Sequence, residues 1–119
     1  VLEHVFDPLQ FIVEIRSNLK SSDLLYIAVP GLNMVKHGTY KYDLRRYFHL
    51  AHVTDFTKNT LENLLITAGF KILYIDEKIE SVFKIDQNQK KITLKKNKNA
   101  ISDILDIVKR RKIFNSLFY

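Results

Sequence analysis

The stretch of sequence that decides the fold is residues 1–30, which read VLEHVFDPLQFIVEIRSNLKSSDLLYIAVP. Asp7 is suited to cap a helix and Pro8 to occupy its first position, and Gln10 stands three residues after the cap, as in a capping box. The helix that follows has a wide apolar face, formed by Leu9, Phe11, Ile12, Val13, Ile15 and Leu19. These signals predict a helix that begins at about Pro8 and ends before residues 21–23.

The second half of this stretch predicts a buried strand. Residues 24–29 form an almost continuous apolar run, LLYIAV, which stops at Pro30 and Gly31. A short apolar run without alternation, reached through a helix, is typical of a strand covered on both faces of a parallel sheet. Residues 1–30 therefore predict the later half of a β-α-β crossover, with most of its first strand missing.

The chain downstream predicts one more helix packed on the sheet and an antiparallel strand pair. Thr57 caps a helix whose apolar stripe contains Leu61, Leu64, Leu65 and Ala68, and Gly69 is the expected left-handed residue at its end. Residues 70–76 and residues 79–85 each have the alternating pattern of a strand, and the two segments lie close together in sequence. This indicates an antiparallel pair at the sheet edge. A last helix has Ile101, Ile104, Leu105 and Val108 on one side.

Two of these segments resemble class I S-adenosylmethionine-dependent methyltransferases. LEHVFDP with the following helix and strand is similar to the segment from the fourth to the fifth strand of that family, and HLAHVTDFTKNTLENLLITAGFKI, residues 49–72, is similar to its next helix and "AGF" turn. The resemblance covers about residues 1–84. It implies an α/β fold, the C-terminal half of a Rossmann-like methyltransferase sheet with parallel strands, an antiparallel edge pair and flanking helices.

The resemblance also implies how the chain is organised. Residues 1–86 are the C-terminal half of the methyltransferase domain, with residues 31–56 as a substrate-side lid, and residues 87–119 are a basic linker and a C-terminal helix. The chain has neither the glycine-rich loop nor the acidic strand end that hold most of the cofactor in that family. We therefore expect methyl transfer to a small-molecule acceptor in the parent protein, and little or no activity in the isolated chain.

The implied cofactor is S-adenosylmethionine, and the turn after the first strand would lie beside it. Leu2, Glu3 and His4 are the cofactor candidates, and His4 is also the catalytic candidate. Histidine gains and loses a proton near neutral pH, which suits a general base if the acceptor must lose a proton. The alternative is that His4 is hydrogen-bonded and only fixes the turn.

The lid supplies the candidates for the acceptor side, because ligands of open α/β sheets bind outside the carboxyl ends of the strands. Residues 31–56 are too long and too aromatic for a simple connection, and a short helix is predicted at about residues 42–48. The acceptor candidates are His37, Tyr40, Tyr42, Arg45, His49 and His52. They are equally suited to packing the lid on the sheet. No metal is expected, because no acidic residue completes a zinc-ligand spacing with His49 and His52.

The net charge of +6 is concentrated in the tail. Residues 84–119 carry ten Lys or Arg against three Asp or Glu, whereas residues 1–83 carry nine against ten. The alternative function is therefore a non-catalytic module that binds nucleic acid or protein through its basic tail. We expect no nucleic acid, because aromatic residues are not interleaved with these charges before Phe114.

The remaining expectations concern membrane association, cellular location and oligomeric state. No apolar run approaches the roughly eighteen residues of a membrane span and no signal-peptide pattern is present, so we expect no membrane and a cytoplasmic location. A half-sheet leaves an unpaired strand edge and an uncovered helix face. Both favour a homo-oligomer formed through the exposed edge.

Overall fold

The computed structural model describes residues 1–48, 53–76, 79–88 and 100–118. The fold is mixed α/β, with a small sheet and helices around it. The elements, in chain order, are α1 (Pro8–Ser17), β1 (Leu24–Ala28), α2 (Leu32–Lys36), α3 (Leu44–Tyr47), α4 (Lys58–Thr67), β2 (Phe70–Ile75), β3 (Glu80–Ile85) and α5 (Ala100–Phe118). Short 3-10 turns are formed by Leu2–His4 and Thr39–Tyr42.

The three strands form one sheet in the order β1-β3-β2, and each pairing is antiparallel. The predicted antiparallel pair of β2 and β3 is confirmed, but β3 lies in the centre of the sheet, so of this pair only β2 is at an edge. Among the residues that the structure describes, no two strands pair in parallel, so a Rossmann-like parallel sheet is not shown. Because β1 and β2 are both antiparallel to β3, however, they run in the same direction and end at the same side of the sheet.

Strand β1 lies where the sequence predicts it, but its predicted burial on both faces is wrong for this chain. Leu24 and Tyr26 are each 60% exposed, whereas Ile27 is buried. Within the described ranges β1 pairs with β3 along one side, and α1 and α4 cover the sheet from one face. An edge strand with one covered face leaves alternate side chains in solvent.

Local signals place α1 and α4 correctly. The Asp7 carboxylate accepts a hydrogen bond from the Gln10 amide at 2.9 Å, although the Gln10 side chain binds Glu14 and does not complete the capping box. At α4, the Thr57 hydroxyl and the Thr60 side chain do form a reciprocal capping box. Gly69, with φ +91°, ends α4 in the left-handed conformation, as predicted.

The main core lies between α1, the three strands and α4. We call these elements together the body. Its buried side chains are Leu2, Ile12, Ile27, Val29, Phe56, Leu61, Leu65, Ala68, Phe70, Ile79 and Phe83. The face of α1 is narrower than predicted, since Leu9 and Val13 are exposed. The predicted stripe of α4 is confirmed, with Leu64 half-buried and its other members buried.

A second, smaller core joins the lid (residues 31–56) to α5. Leu32, Val35, Tyr47 and Ile107 are buried together, with Tyr42, Leu44 and Ile104 packed around them. The buried side of α5 therefore differs from the predicted one. Ile104 and Ile107 face the lid, while Leu105 and Val108 are exposed. The side chain of Ile101 lies outside the described residues.

Candidate functional site

The two ends of the lid meet beside the carboxyl end of β1. Gly31 and Phe56 form an isolated parallel bridge, in which the Leu32 amide donates to the Phe56 carbonyl at 3.3 Å. The Glu3 carbonyl accepts hydrogen bonds from the amides of Val53 at 2.8 Å and Thr54 at 3.1 Å. The turn at Leu2–His4 is thereby fixed against the base of the lid.

The three cofactor candidates in this turn have different environments. Leu2 is buried in the core of the body, and Glu3 is also buried. The His4 side chain is about half exposed, with Nε2 at 3.6 Å from Glu3 Oε1. Of the three side chains, His4 is therefore the one that presents a reactive group to solvent.

Glu3 is held as a carboxylate. Its Oε2 accepts a hydrogen bond from the Val1 amine at 2.8 Å. Burial raises the pKa of Glu3, but this hydrogen bond, with a backbone hydrogen bond and the nearby charges of the Val1 amine and His4, outweighs burial and lowers the pKa below its ordinary value. The Val1 amine exists only where Val1 is the first residue, so this lowering of the pKa belongs to the 119-residue chain and not to a longer parent protein.

Strained backbone lies at the same end of the sheet. Ile79 is buried with φ +62°, which is unusual for a β-branched residue. Its carbonyl accepts a hydrogen bond from the Val29 amide at 3.2 Å, and its side chain fills the space in front of Gly31. A Cβ at Gly31 would lie 2.5 Å from Cδ1 of Ile79, so a larger residue there would displace the buried Ile79 side chain.

The acceptor candidates are not brought into one pocket by the residues that the structure describes. His37 ends α2 and is exposed, and Tyr40 is partly exposed on the next turn. Tyr42 is half-buried, with its ring centroid 6.3 Å from that of Phe114 in α5. Arg45 is 87% exposed and paired with Asp43. His49 and His52 lie outside the described residues.

Tyr47 is buried, and it is a structural residue of the lid. Its hydroxyl lies 3.4 Å from the Pro30 carbonyl, at the end of β1. Burial, and then the negative charge of Asp55, raise the pKa of Tyr47 well above its ordinary value, so the phenol is neutral at physiological pH. The lid is thus anchored to the sheet by a neutral hydrogen bond and by packing.

Asp43 is the residue of the lid that the sequence analysis missed. Its buried carboxylate caps α3 by accepting a hydrogen bond from the Arg45 amide at 3.1 Å. Oδ2 of Asp43 also lies 3.6 Å from Nη2 of Arg111 in α5. The position of Asp43 directly before Leu44 is a helix-cap signal that was available in the sequence. The partner in α5 had no local signal.

An apolar groove with a volume of about 320 Å³ follows the outer edge of β1. The side chains and backbone that line it are those of Val1, Leu2, Phe11, Ile12, Ile15, Leu25, Tyr26, Ile27, Ala28 and Val29. The groove therefore joins one flank of α1 to the outer edge of β1, which has no strand partner among the described residues. Such a surface is suited to receive another strand.

In the part of the chain that the structure describes, no group of three or more His, Cys, Asp or Glu residues could hold a metal ion. None of the helices there combines the length and the apolar character that a membrane span needs. Comparison with known proteins gives no match: no family model, no curated protein and no solved structure is significantly similar to the chain.

Proposed function

We propose that this chain is the C-terminal half of an S-adenosylmethionine-dependent methyltransferase that acts on a small-molecule acceptor. The observation that carries the proposal is the course of the strands. β1 and β2 run in the same direction on either side of the antiparallel β3. In the resembled family, too, one of the last two strands is antiparallel. The lid leaves β1 at the carboxyl end, where ligands of open α/β sheets bind.

The turn at Leu2–His4 supports the same proposal. The hydrogen bonds from Val53 and Thr54 to the Glu3 carbonyl place this turn next to the base of the lid. A cofactor held at the turn and an acceptor held under the lid would then be neighbours. Placing the acceptor in line with the methyl group supplies much of the rate in such a transfer.

Bound S-adenosylmethionine supplies an activated methyl group on a sulfonium sulfur. The turn at Leu2–His4 would border the cofactor, and an acceptor held under the lid would receive the methyl group. The His4 imidazole takes the proton that the acceptor loses, and Glu3, 3.6 Å away, is the residue that positions it. Leu2 supports the turn from within the core.

The groove along β1 supports the expectation that the isolated chain is inactive. A free strand edge next to exposed apolar side chains is the surface that the other half of a larger sheet would cover. In the isolated chain the same surface favours pairing of two copies. We propose that the parent protein binds the cofactor with both halves.

The alternative, a module that binds nucleic acid through the basic tail, has less support. Within the tail, Arg110 pairs with Asp106 at 3.1 Å, and Arg111 donates to a carbonyl of the lid at 2.8 Å. Two of the four consecutive cations at residues 109–112 thus contact other groups of the protein at its surface. The lysines between residues 90 and 98 lie outside the described residues.

Calorimetric titration with S-adenosylmethionine tests the proposal. We expect saturable binding by the parent protein and much weaker binding by the 119-residue chain. His4→Gln should slow methyl transfer by about a hundredfold or more if the acceptor loses a proton, with little change in cofactor affinity. Gln10→Ala, on the exposed side of α1, is the control and should change neither quantity.

Absence of cofactor binding by the parent protein would contradict the proposal. Binding of a DNA or RNA duplex that falls steeply with salt concentration, and that is unaffected by His4→Gln, would favour the basic-tail alternative instead.

A further inference from the structure

The turn in the middle of the lid has a conformation that its own sequence does not favour. Tyr40, Lys41 and Tyr42 have φ values of +57°, +52° and +60°, and Gly38, two residues before Tyr40, has a φ of +101°. Residues with side chains rarely adopt the left-handed conformation, and successive ones rarely do so without glycine or asparagine. Such a turn persists only where the surrounding structure holds it.

Arg111 of α5 holds this turn from outside the lid. Its Nη1 donates a hydrogen bond of 2.8 Å to the carbonyl of Lys41, the central left-handed residue, which lies 70 positions earlier in the chain. Its Nη2 lies 3.6 Å from Oδ2 of Asp43. One guanidinium therefore joins the turn to the buried cap of α3, a geometry that suits the planar fork of arginine.

Phe114 completes the contact. The Arg111 guanidinium lies 5.8 Å from the centroid of the Phe114 ring, and that ring lies 6.3 Å from the ring of Tyr42. The aromatic ring thus supports the guanidinium on one side and packs against the last residue of the turn on the other.

The other contacts of α5 with the lid lie on the same helical face. Asp103 accepts a hydrogen bond of 2.6 Å from Lys36 Nζ, and Ile107 is buried against α2 and α3. Asp103, Ile107, Arg111 and Phe114 follow one another at intervals of four, four and three residues, which is the spacing of one side of a helix. The whole inner face of α5 is therefore used to hold the lid.

We propose that α5 is a clasp for the lid, and that Arg111 maintains the left-handed turn at residues 40–42. Release of α5 removes the support of the turn and lets residues 31–48 open, while the body stays folded. The consequence for acceptor access rests on the proposed function, because it requires an acceptor under the lid. The clasp itself depends only on the contacts between α5 and the lid.

Limited digestion of the full chain with chymotrypsin tests the clasp, because the turn contains two tyrosines. Cleavage after Tyr40 and Tyr42 is measured by mass spectrometry, and cleavage after Tyr26 and Tyr74 in the strands is the internal reference. We expect Arg111→Ala to speed cleavage in the turn at least about fivefold, because local opening exposes the turn without unfolding the body. Arg110→Ala is the matched control, since Arg110 pairs within α5, and it should change the rate by less than about twofold.

Arg111→Lys keeps the charge but loses the fork, and we expect an intermediate rate. If circular dichroism shows that the Arg111→Ala variant does not fold, the Arg111→Lys variant decides the question. Equal rates for the variants of Arg111 and for Arg110→Ala would overturn the proposal, as would equal acceleration at Tyr26 and Tyr74. The assay contains neither cofactor nor acceptor, so its outcome is independent of whether the protein is a methyltransferase.

Discussion

The body and the lid both contain buried apolar side chains, but different forces fix their backbones. In the body, helix caps and strand pairing agree with the local sequence, as at Asp7, Thr57 and Gly69. In the lid, the left-handed turn at residues 40–42 contacts α5, where Arg111 donates a hydrogen bond to the Lys41 carbonyl. The helix caps of the body thus involve neighbours in sequence, whereas the turn of the lid contacts a helix some seventy residues away. We therefore expect the lid to open while the body stays folded, and the body to unfold only together with the lid.

The largest expected effect comes from the core of the body. Phe83 lies in the central strand and is completely buried, so Phe83→Ala should lower the free energy of unfolding by about 4 kcal/mol. Because the lid is anchored on the sheet, we expect the loss to unfold both regions together. Urea denaturation followed by circular dichroism measures it. Leu73→Ala, at a position of β2 that is 52% exposed, is the control and should cost less than about 1 kcal/mol. Equal costs for the two variants would contradict the assigned core.

A smaller effect is expected where the body and the lid meet. Gly31→Ala places a methyl group against the buried, β-branched side chain of Ile79, and this overpacking should cost about 2 kcal/mol. Adding Ile79→Ala removes the clash, so the double variant should lose less stability than the sum of the two single variants. Denaturation of all four proteins measures the coupling energy. Strict additivity would show that the two residues do not meet.

The smallest effect concerns the charge of Asp43. The hydrogen bond from Arg45, reinforced by the charges of Arg45 and Arg111, lowers the pKa of Asp43 below its ordinary value despite burial. The resulting stabilisation is fully present above about pH 4, the ordinary range of an aspartate, and is lost as the pH falls through the lowered pKa. Asp43→Asn keeps a helix-capping side chain but removes the charge. We expect its melting temperature to lie below that of the wild type at pH 6, and the difference to shrink towards pH 2.5. A difference that is independent of pH would contradict this role of the charge.

The sequence predicted the parts of the fold that depend on nearby residues. The caps at Asp7 and Thr57 and the glycine after α4 work over one turn of helix, so their patterns are visible in a short window. The exposure of Leu24 and Tyr26 was not predicted, because an apolar run does not reveal which of its faces another element covers.

The candidate site was predicted less completely than the fold. The turn at Leu2–His4 does lie against the base of the lid, but the acceptor candidates with described positions point to different surroundings. Arg45 and Tyr42 are engaged by Asp43 and Phe114. The left-handed turn and its contact with Arg111 depend on residues far apart in the chain, and no local pattern marks them.

Native-state hydrogen exchange of the wild-type chain tests most directly whether the lid and α5 form one unit apart from the body. We expect the amides of β3 to exchange only through global unfolding. The amides of Lys41 and Asp43, which donate to Gly38 and Tyr40 at 3.0 Å, should exchange through a smaller opening that also exposes α5. We predict that the amides of the lid and of α5 share one opening free energy, and that it is lower than the opening free energy of the β3 amides. Protection of α5 that persists while the lid exchanges, or a lid as protected as β3, would contradict the account.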